Sequence, residues 1–278
     1  MRIVDAHLHV WLGADERPLQ PLSTFRHGAA RPVELLLAEM AAAGVEQAVL
    51  VQPSSYGYDH GYLLECLARY PGKLAGVGLV DPKAPDAADR ARRLDAAGIH
   101  GLRLYPRAEP DPAWLDSPAS DPLWETAAEL RMPICLFMEP RHAGRLARMV
   151  ERHPETPVVV DHLGRPDPTE GPPYAGYRPI LDLARFPNVH LKLSGIPAVS
   201  REPYPYRDVW PLVRLAYAAF GPRRLLWATD FPHILEQCGY RACLELTTRV
   251  LSFLDPAHLP DILGGTARRL WARALGGV

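Results

Sequence analysis

Short apolar runs recur along the 278-residue chain, and each is followed by a segment with helical periodicity. Most of these runs are continuously apolar and rich in β-branched residues, which is typical of strands buried on both faces of a parallel sheet. The predicted strands are Ile3–Val10, Gln47–Gln52, Ala75–Val80, Gly101–Tyr105, Ile134–Met138, Val158–Asp161, Val189–Leu193 and Leu225–Ala228. The predicted helices are Val33–Ala43, Tyr62–Arg69, Ala87–Ala97, Pro122–Leu130, Ala143–Arg152, Tyr177–Arg185, Tyr206–Ala219, Arg241–Leu251 and Ala267–Ala274.

Eight β-then-α units in a chain of this length indicate an α/β protein folded as one (β/α)8 barrel, a TIM barrel. The alternative is a doubly wound open sheet. No Gly-x-Gly-x-x-Gly motif follows the first predicted strand, which disfavours the dinucleotide-binding form of that alternative. Because no linker or shift in composition marks a boundary, we predict a single domain over residues 1–278.

The composition excludes several classes of partner. The chain has 31 Lys and Arg residues against 32 Asp and Glu, so its net charge of −1 offers no general attraction to nucleic acid or an anionic membrane. No apolar run approaches the length of a transmembrane helix. The four cysteines form no Cys-x-x-Cys pair, which argues against a thiolate zinc site. We predict a cytoplasmic protein that acts on a small molecule, and the composition leaves open whether it forms a homo-oligomer.

The first predicted strand contains a His-x-His pair, His7 and His9. Alternate side chains of a strand point the same way, so both imidazoles are expected on one face, with Asp5 on that face one step earlier. Two imidazoles at this spacing can chelate one metal ion or converge on one small substrate. The other interpretation is a pair of core histidines whose hydrogen bonds are satisfied.

Polar residues also collect at the ends of most other predicted strands. Active sites of (β/α)8 barrels lie at the C-terminal ends of the strands, so this distribution predicts one shared site. The residues are Gln52, Ser54 and Tyr56 after the second strand, Arg103 and Tyr105 in the fourth, Glu139 after the fifth, Asp161, His162 and Arg165 after the sixth, Lys192 and Ser194 around the end of the seventh, and Thr229, Asp230 and His233 after the eighth.

Together these motifs resemble the amidohydrolase superfamily in its amidohydrolase-2 branch, and within it the 2-pyrone-4,6-dicarboxylate hydrolases and sugar lactonases. The stretches 52–59 and 203–211 are more similar to the pyrone-dicarboxylate hydrolases. The matching motifs, in chain order, are Asp5-x-His7-x-His9, Val51-Gln52-Pro53-Ser54, Gly101-Leu102-Arg103, Val160-Asp161-His162-Leu163-Gly164-Arg165-Pro166, Lys192-Leu193-Ser194-Gly195 and Leu226-Trp227-Ala228-Thr229-Asp230-Phe231-Pro232-His233.

The resemblance implies a hydrolase that opens a lactone or another cyclic ester, such as a pyrone carboxylate or a sugar lactone. It implies that Asp230 is the general base and that His162 is a second catalytic residue. One alternative is a metal-dependent decarboxylase or hydratase acting on an unsaturated carboxylic acid. Another is a catalytically silent barrel that only binds a ligand.

The resemblance leaves two interpretations of the metal content. In the first, one zinc ion is held by His7, His9 and Asp230, with Glu139 and His162 as further candidate ligands. In the second, catalysis is metal-free, as in the pyrone-dicarboxylate hydrolases, and the histidines donate hydrogen bonds to the carbonyl directly. The fifth predicted strand and the residue after it, 134–139, contain neither histidine nor lysine, which argues against a two-metal site. Glu139 could instead form a salt bridge with a neighbouring arginine.

The substrate-binding residues implied at the strand ends include two arginines, whose forked guanidinium groups suit carboxylates. No arginine follows Ser194 closely, and Arg201 comes only later, so the substrate could carry two carboxylates, one or none. The full predicted set is Gln52, Tyr56, Arg103, Arg165 and Ser194. An apolar wall could come from Tyr56, Trp124, Phe137 and Met138, although each also fits a core position.

Overall fold

A computed structural model of the chain describes residues 2–13, 15–20 and 27–276. Within these ranges eight parallel strands form one sheet in sequential order, which confirms the predicted barrel and the place of each strand. The strands are β1 (Val4–Leu8), β2 (Gln47–Val51), β3 (Leu74–Leu79), β4 (Leu102–Leu104), β5 (Ile134–Leu136), β6 (Val158–Val160), β7 (Val189–Leu193) and β8 (Leu225–Trp227).

The sheet closes on itself between its first and last strands. Leu8 forms a parallel bridge with Phe231, and the backbone N–H of His9 donates to the Phe231 carbonyl at 2.7 Å. The Asp230 N–H donates to the His7 carbonyl at 2.9 Å. The open doubly wound sheet is therefore the wrong alternative, and the segment after β8 is tied to the His-x-His segment at the mouth of the barrel.

Helices follow the strands on the outside of the barrel, mostly at the predicted positions. They are α1 (Val33–Ala43), α2 (Gly61–Arg69), α3 (Ala87–Ala96), α4 (Asp121–Glu129), α5 (Ala143–Arg152), α6 (Arg178–Asp182), α7 (Ile196–Val199), α8 (Trp210–Phe220), α9 (Tyr240–Glu245), α10 (Thr266–Leu270) and α11 (Ala272–Leu275). Within the described ranges, no helix is long and apolar enough to cross a membrane.

Some predicted helices are interrupted in the structure, and the helix predicted over residues 177–185 continues as a 3-10 turn after Asp182. The helix predicted over residues 241–251 ends as an α-helix at Glu245 and continues as a π-helical turn over 246–250. The helix predicted over residues 267–274 breaks at Trp271, which separates α10 from α11. Trp271 is buried with the side chains that fill the barrel interior, and a Cβ on Gly101 would lie 2.9 Å from its indole nitrogen. Packing of this indole against the end of the barrel accounts for the break.

The buried apolar residues form two groups on opposite sides of the strands. One group fills the barrel and contains alternate strand residues, among them Val49, Val77 and Val159. The other group contains the intervening residues, such as Leu50 and Val160, together with the apolar faces of the helices. This alternation is the period of two expected of a pleated strand covered on both faces.

β1 departs from that alternation by one residue. Asp5 pairs with Ala48 and Leu8 pairs with Leu50, so three steps along β1 match two along β2, as in a β-bulge. Ala6 packs inside the barrel, whereas its neighbour Asp5 contacts residues outside it. The prediction that Asp5 shares a face with His7 and His9 is therefore wrong, because strict alternation was assumed across the extra residue.

The Asp5 carboxylate connects β1 to the segment after β8 and to α9. One oxygen accepts from the Thr229 N–H at 3.0 Å, and the other accepts from the Thr229 hydroxyl at 2.5 Å and the Tyr240 hydroxyl at 2.9 Å. Burial raises the pKa of Asp5 to about 6, although these hydrogen bonds favour the ionised form. The carboxylate thus holds the closing segment of the barrel directly beneath the predicted site.

We expect Asp5→Ala to destabilise the protein more than Tyr240→Phe does. Asp5→Ala removes the acceptor of four buried donors, namely the Thr229 N–H, the Thr229 hydroxyl, the Tyr240 hydroxyl and the His7 N–H. Each unsatisfied donor costs about 1–3 kcal/mol, whereas Tyr240→Phe removes only one of these bonds. Urea denaturation followed by circular dichroism measures both free energies of unfolding. A smaller loss for Asp5→Ala than for Tyr240→Phe would contradict this role.

Candidate active site

A cavity of about 310 Å³ opens at the C-terminal ends of the strands, where the sequence predicted the site. Its walls come from the segments that follow most of the strands. The lining residues are His9, Trp11, Pro53, Ser54, Arg103, Tyr105, Arg107, Ala108, Phe137, His162, Asp230 and His233.

His7, His9 and Asp230 meet at this cavity. His9 and Asp230 line it, whereas His7 is fully buried beside them. The two Nε2 atoms of the histidines lie 3.2 Å apart, and Asp230 Oδ1 lies 3.7 Å from that of His7 and 3.6 Å from that of His9. A tetrahedral zinc ion with bonds of 2.0–2.1 Å to nitrogen and oxygen places its ligand atoms about 3.3 Å apart. The three atoms therefore have the spacing of one face of such a site.

The protonation of the histidines also fits metal binding. His9 Nδ1 lies 2.7 Å from the Val51 carbonyl oxygen, to which it donates, so the lone pair of His9 is on Nε2. Burial, assisted by nearby cations, lowers the pKa of both His7 and His9 well below the ordinary value. Both rings are thus neutral at neutral pH, which is the form that coordinates a metal.

Asp230 reaches the cavity from an unusual backbone conformation. Its φ of +61° lies in the left-handed region, and the Phe231 N–H donates to the Thr229 hydroxyl across the same turn at 3.0 Å. Its side chain is only 19 % exposed. Burial raises the pKa of Asp230 to about 7, so this carboxylate is suited to exchange a proton near neutral pH.

His162 lies beside the group formed by His7, His9 and Asp230, with its ring centroid 4.6 Å from that of His7. Its Nδ1 lies 3.0 Å from the Ser194 hydroxyl, and burial lowers the pKa of the imidazole to about 3. Gly195 has a φ of +66°, and a Cβ there would lie 2.7 Å from the His162 Cβ, so both conformation and space require glycine. Ser194 therefore orients His162, and it is not among the described residues that line the cavity.

A buried group of charges lies behind the histidines. Asp161 Oδ1 is 2.9 Å from Lys192 Nζ and 3.3 Å from His7 Nδ1, and its Oδ2 is 3.2 Å from Arg103 Nε. Burial alone would raise the pKa of Asp161, but Lys192, His7 and Arg103 lower it well below the usual range. Asp161 is therefore an ionised carboxylate within ion-pair distance of Lys192, His7 and Arg103.

Three guanidinium groups lie against the ring of Phe137. Arg103 and Arg107 line the cavity together with this ring, whereas Arg165 is not among the described lining residues. Arg103, Arg107 and Arg165 have their central carbon atoms 5.3, 5.2 and 5.7 Å from its centroid. Arg103 pairs with Asp161 and Arg107 with Glu139, whereas Arg165 has no carboxylate within 4 Å in the described part of the chain. The arrangement gives this side of the cavity a local excess of positive charge.

Two predicted substrate-binding residues, Gln52 and Tyr56, have hydrogen-bond partners within the protein. The Gln52 amide nitrogen donates to the carbonyls of Gly57 and Asp59 at 3.2 and 2.7 Å. The Tyr56 hydroxyl accepts from the Leu12 N–H at 2.9 Å. Both side chains are buried, and neither is among the described lining residues. They hold together the loops that follow β1 and β2.

Glu139 lies at the cavity rim and forms salt bridges rather than joining the histidines. Its oxygens lie 2.8 Å from Arg107 Nε and 2.6 Å from Arg141 Nη1, and it belongs to no metal-like group among the described residues. Trp124 and Met138, which were also candidates for the apolar wall, are fully buried in the core outside the barrel. Phe137, the third candidate, lines the cavity.

The sequence reasoning missed Trp11 and gave no role to His233, both of which line the cavity. Trp11 stacks on His27 with ring centroids 5.1 Å apart, and the His233 ring lies 6.2 Å from that of His9. Trp11 comes two residues after His9, so the alternation that selected the histidines would also have selected it.

The fold and the site together define a (β/α)8 barrel enzyme in which histidines of the first and sixth β-segments face an aspartate after the eighth. Sequence comparison identifies the same family that the motifs of the sequence predicted. The amidohydrolase family model matches residues 4–273, and the chain belongs to the amidohydrolase family.

Individual relatives share most of the chain. An L-fucono-1,5-lactonase from Burkholderia ambifaria is 32 % identical over 95 % of this chain and 93 % of its own length. A 2-pyrone-4,6-dicarboxylate hydrolase from Comamonas testosteroni is 31 % identical over 83 % of this chain and 76 % of its own. An amidohydrolase crystal structure from Burkholderia multivorans with bound zinc superposes with a TM-score of 0.82 at 26 % identity, covering 98 % of this chain and 99 % of that one.

Proposed function

We propose that this protein hydrolyses a lactone. The observation that carries the proposal is the convergence of Asp230 Oδ1 with the Nε2 atoms of His7 and His9 at the base of one cavity. A lactonase needs an activated water, a polarised carbonyl and a proton for the departing ring oxygen, and these groups can supply all three. The names of the L-fucono-1,5-lactonase and the 2-pyrone-4,6-dicarboxylate hydrolase, which are both hydrolases of cyclic esters, support the same reaction class.

In the proposed reaction, Asp230 accepts a proton from a water molecule at the base of the cavity. The water oxygen then forms a bond to the lactone carbonyl carbon, and negative charge develops on the carbonyl oxygen. When Ser194 donates to His162 Nδ1, the proton of the neutral ring is on Nε2, from which it can stabilise that charge. The bond between the carbonyl carbon and the ring oxygen breaks, and the protonated Asp230 returns its proton to the leaving alkoxide.

We further propose that His7, His9 and Asp230 hold one divalent metal ion, with zinc as the first candidate. The spacing of the three ligand atoms and the neutral state of both histidines support this assignment, as does the zinc in the related crystal structure. When bound, such an ion would polarise the carbonyl and acidify the water. Metal-free catalysis, in which the same histidines act as hydrogen-bond donors, is the alternative.

The proposed substrate carries a carboxylate near Phe137. Arg165 faces the same ring as Arg103 and Arg107 and has no carboxylate partner in the described part of the chain. A substrate anion would therefore find a positively charged group that the protein does not already neutralise.

We expect Asp230→Asn to lower kcat by about 10²–10⁴-fold, because an amide cannot accept the proton from water. Asp89→Asn, at an exposed position on α3, is the matched control and should retain normal turnover. Acid release from a panel of aldonolactones and pyrone carboxylates measures the rates, and circular dichroism checks the fold. If wild-type protein opens no lactone in the panel, the proposed function is wrong. Near-normal turnover by Asp230→Asn would exclude Asp230 as the general base.

Removal of metal should abolish lactone hydrolysis, and one equivalent of zinc per chain should restore it. The reason is that loss of the ion removes both the carbonyl polarisation and the acidified water. Elemental analysis before and after chelation, paired with rates on the same samples, measures the effect. Full activity of protein shown to contain no metal would instead support the hydrogen-bonding alternative.

Arg165→Met should reduce kcat/KM for carboxylated lactones by roughly 10–100-fold, since a charged hydrogen bond contributes about 1.5–3 kcal/mol. Neutral lactones should be opened at nearly unchanged efficiency. Arg178→Met, at an exposed position on α6, serves as the control for loss of one positive charge. An equal loss on neutral and carboxylated substrates would show that Arg165 does not recognise the carboxylate.

A further inference from the structure

His7 Nδ1, the nitrogen turned away from the cavity, has two neighbours with opposite hydrogen-bonding character. Lys192 Nζ lies 2.9 Å from it, and Asp161 Oδ1 lies 3.3 Å from it. A protonated lysine can only donate and an ionised carboxylate can only accept. The two neighbours therefore favour different positions of the single proton on the neutral imidazole of His7.

The contact with Lys192 favours a proton on His7 Nε2. If Lys192 donates to Nδ1, that nitrogen must be the unprotonated one, and the His7 proton then points at His9 Nε2, 3.2 Å away. His9 Nε2 is an acceptor, because its other nitrogen donates to the Val51 carbonyl. This hydrogen bond between the two histidines is self-consistent, but it occupies the lone pair of His9 and leaves none on His7 Nε2 for a metal.

The position of Asp161 favours the opposite tautomer. Neither of its carboxylate oxygens makes a hydrogen bond of good geometry within the described part of the chain, although Lys192 and Arg103 lie within ion-pair distance. A buried acceptor without a donor is unfavourable. Moving the His7 proton from Nε2 to Nδ1 would give Asp161 Oδ1 a donor and turn the Nε2 lone pair towards His9 and Asp230. The proton changes its place on one ring, so His7 neither gains nor loses charge.

We propose that Lys192 and Asp161 are positioning residues that select the tautomer of His7 and thereby set the affinity of the site for a divalent metal. Lys192 stabilises the tautomer that excludes metal, and Asp161 stabilises the tautomer that binds it. A carboxylate behind a metal-ligating histidine is a common arrangement, whereas a lysine competing for the same nitrogen opposes it. The proposal rests on the metal-binding part of the proposed function, but the tautomer itself exists without metal.

The first test measures the tautomer directly in metal-free protein. In ¹⁵N-labelled protein the imidazole nitrogen shifts identify which nitrogen of His7 carries the proton, with the signals assigned by their loss in His7→Asn. We expect Nε2–H in the wild type and Nδ1–H in Lys192→Met, whose thioether chain has a similar length but cannot donate. A wild-type His7 protonated at Nδ1, or an unchanged tautomer in Lys192→Met, would overturn the proposal.

The second test measures zinc affinity by competition with a chromogenic chelator. Asp161→Asn should weaken zinc binding about 10–100-fold, the usual cost of losing such an outer partner, and Lys192→Met should strengthen it about tenfold. Because Lys192→Met also removes a positive charge, Arg103→Met is the matched control: it removes a buried cation that pairs with Asp161 instead of bonding to His7. Equal tightening in both variants would mean that charge alone acts, and the proposal would fail.

The two proposals can fail separately. Absence of zinc binding by the wild type would refute the metal part of the proposed function, while the ¹⁵N shifts of the metal-free protein would still decide the tautomer. If Lys192→Met does not fold, Lys192→Gln replaces it, and the wild-type tautomer alone remains decisive: Nε2–H supports the proposal, and Nδ1–H overturns it.

Discussion

The site depends on one extra residue in β1. Because three steps from Asp5 to Leu8 match two steps of β2, the strand changes phase between its lower and upper halves. The lower half directs Asp5 outward, where its carboxylate holds Thr229 and Tyr240. The upper half then brings His7 and His9 to the base of the cavity, facing Asp230. One local irregularity therefore places Asp5 against the segment that closes the barrel and places the two histidines at the catalytic site.

Charge is organised in two layers around this point. The inner layer is buried: Asp161 lies between Lys192, Arg103 and His7, and it remains ionised because these groups outweigh the effect of burial on its pKa. The outer layer lies at the cavity wall, where guanidinium groups pack against Phe137 and two of them, those of Arg103 and Arg107, line the cavity. Arg103 belongs to both layers. The protein thus holds neutral histidines between a buried carboxylate and a positively charged wall, which suits a reaction that develops negative charge on an oxygen.

The sequence-based predictions succeeded where a local pattern of residues decides the structure, and they failed where contacts between distant residues decide it. Strand positions, the barrel and the cluster of His7, His9, His162 and Asp230 were predictable, because burial on two faces and placement at strand ends are local properties. The hydrogen-bond partners of Gln52 and Tyr56 were not, because these partners are backbone atoms of loops whose course no local pattern describes. The break at Trp271 was also missed, since it comes from packing against the far end of the barrel.

The number and order of the β/α units, the family and the residues that meet at the mouth of the barrel can all be read from the sequence. The direction in which each of those residues faces, and what it touches, depends on how the chain is packed in three dimensions. Asp5 turned outward because of an extra residue in its strand, and Glu139 joined two arginines. Lys192 reached His7 from 185 positions away. Such partners are set by the closure of the sheet, which brings the first and seventh strands close enough for their side chains to touch inside the barrel.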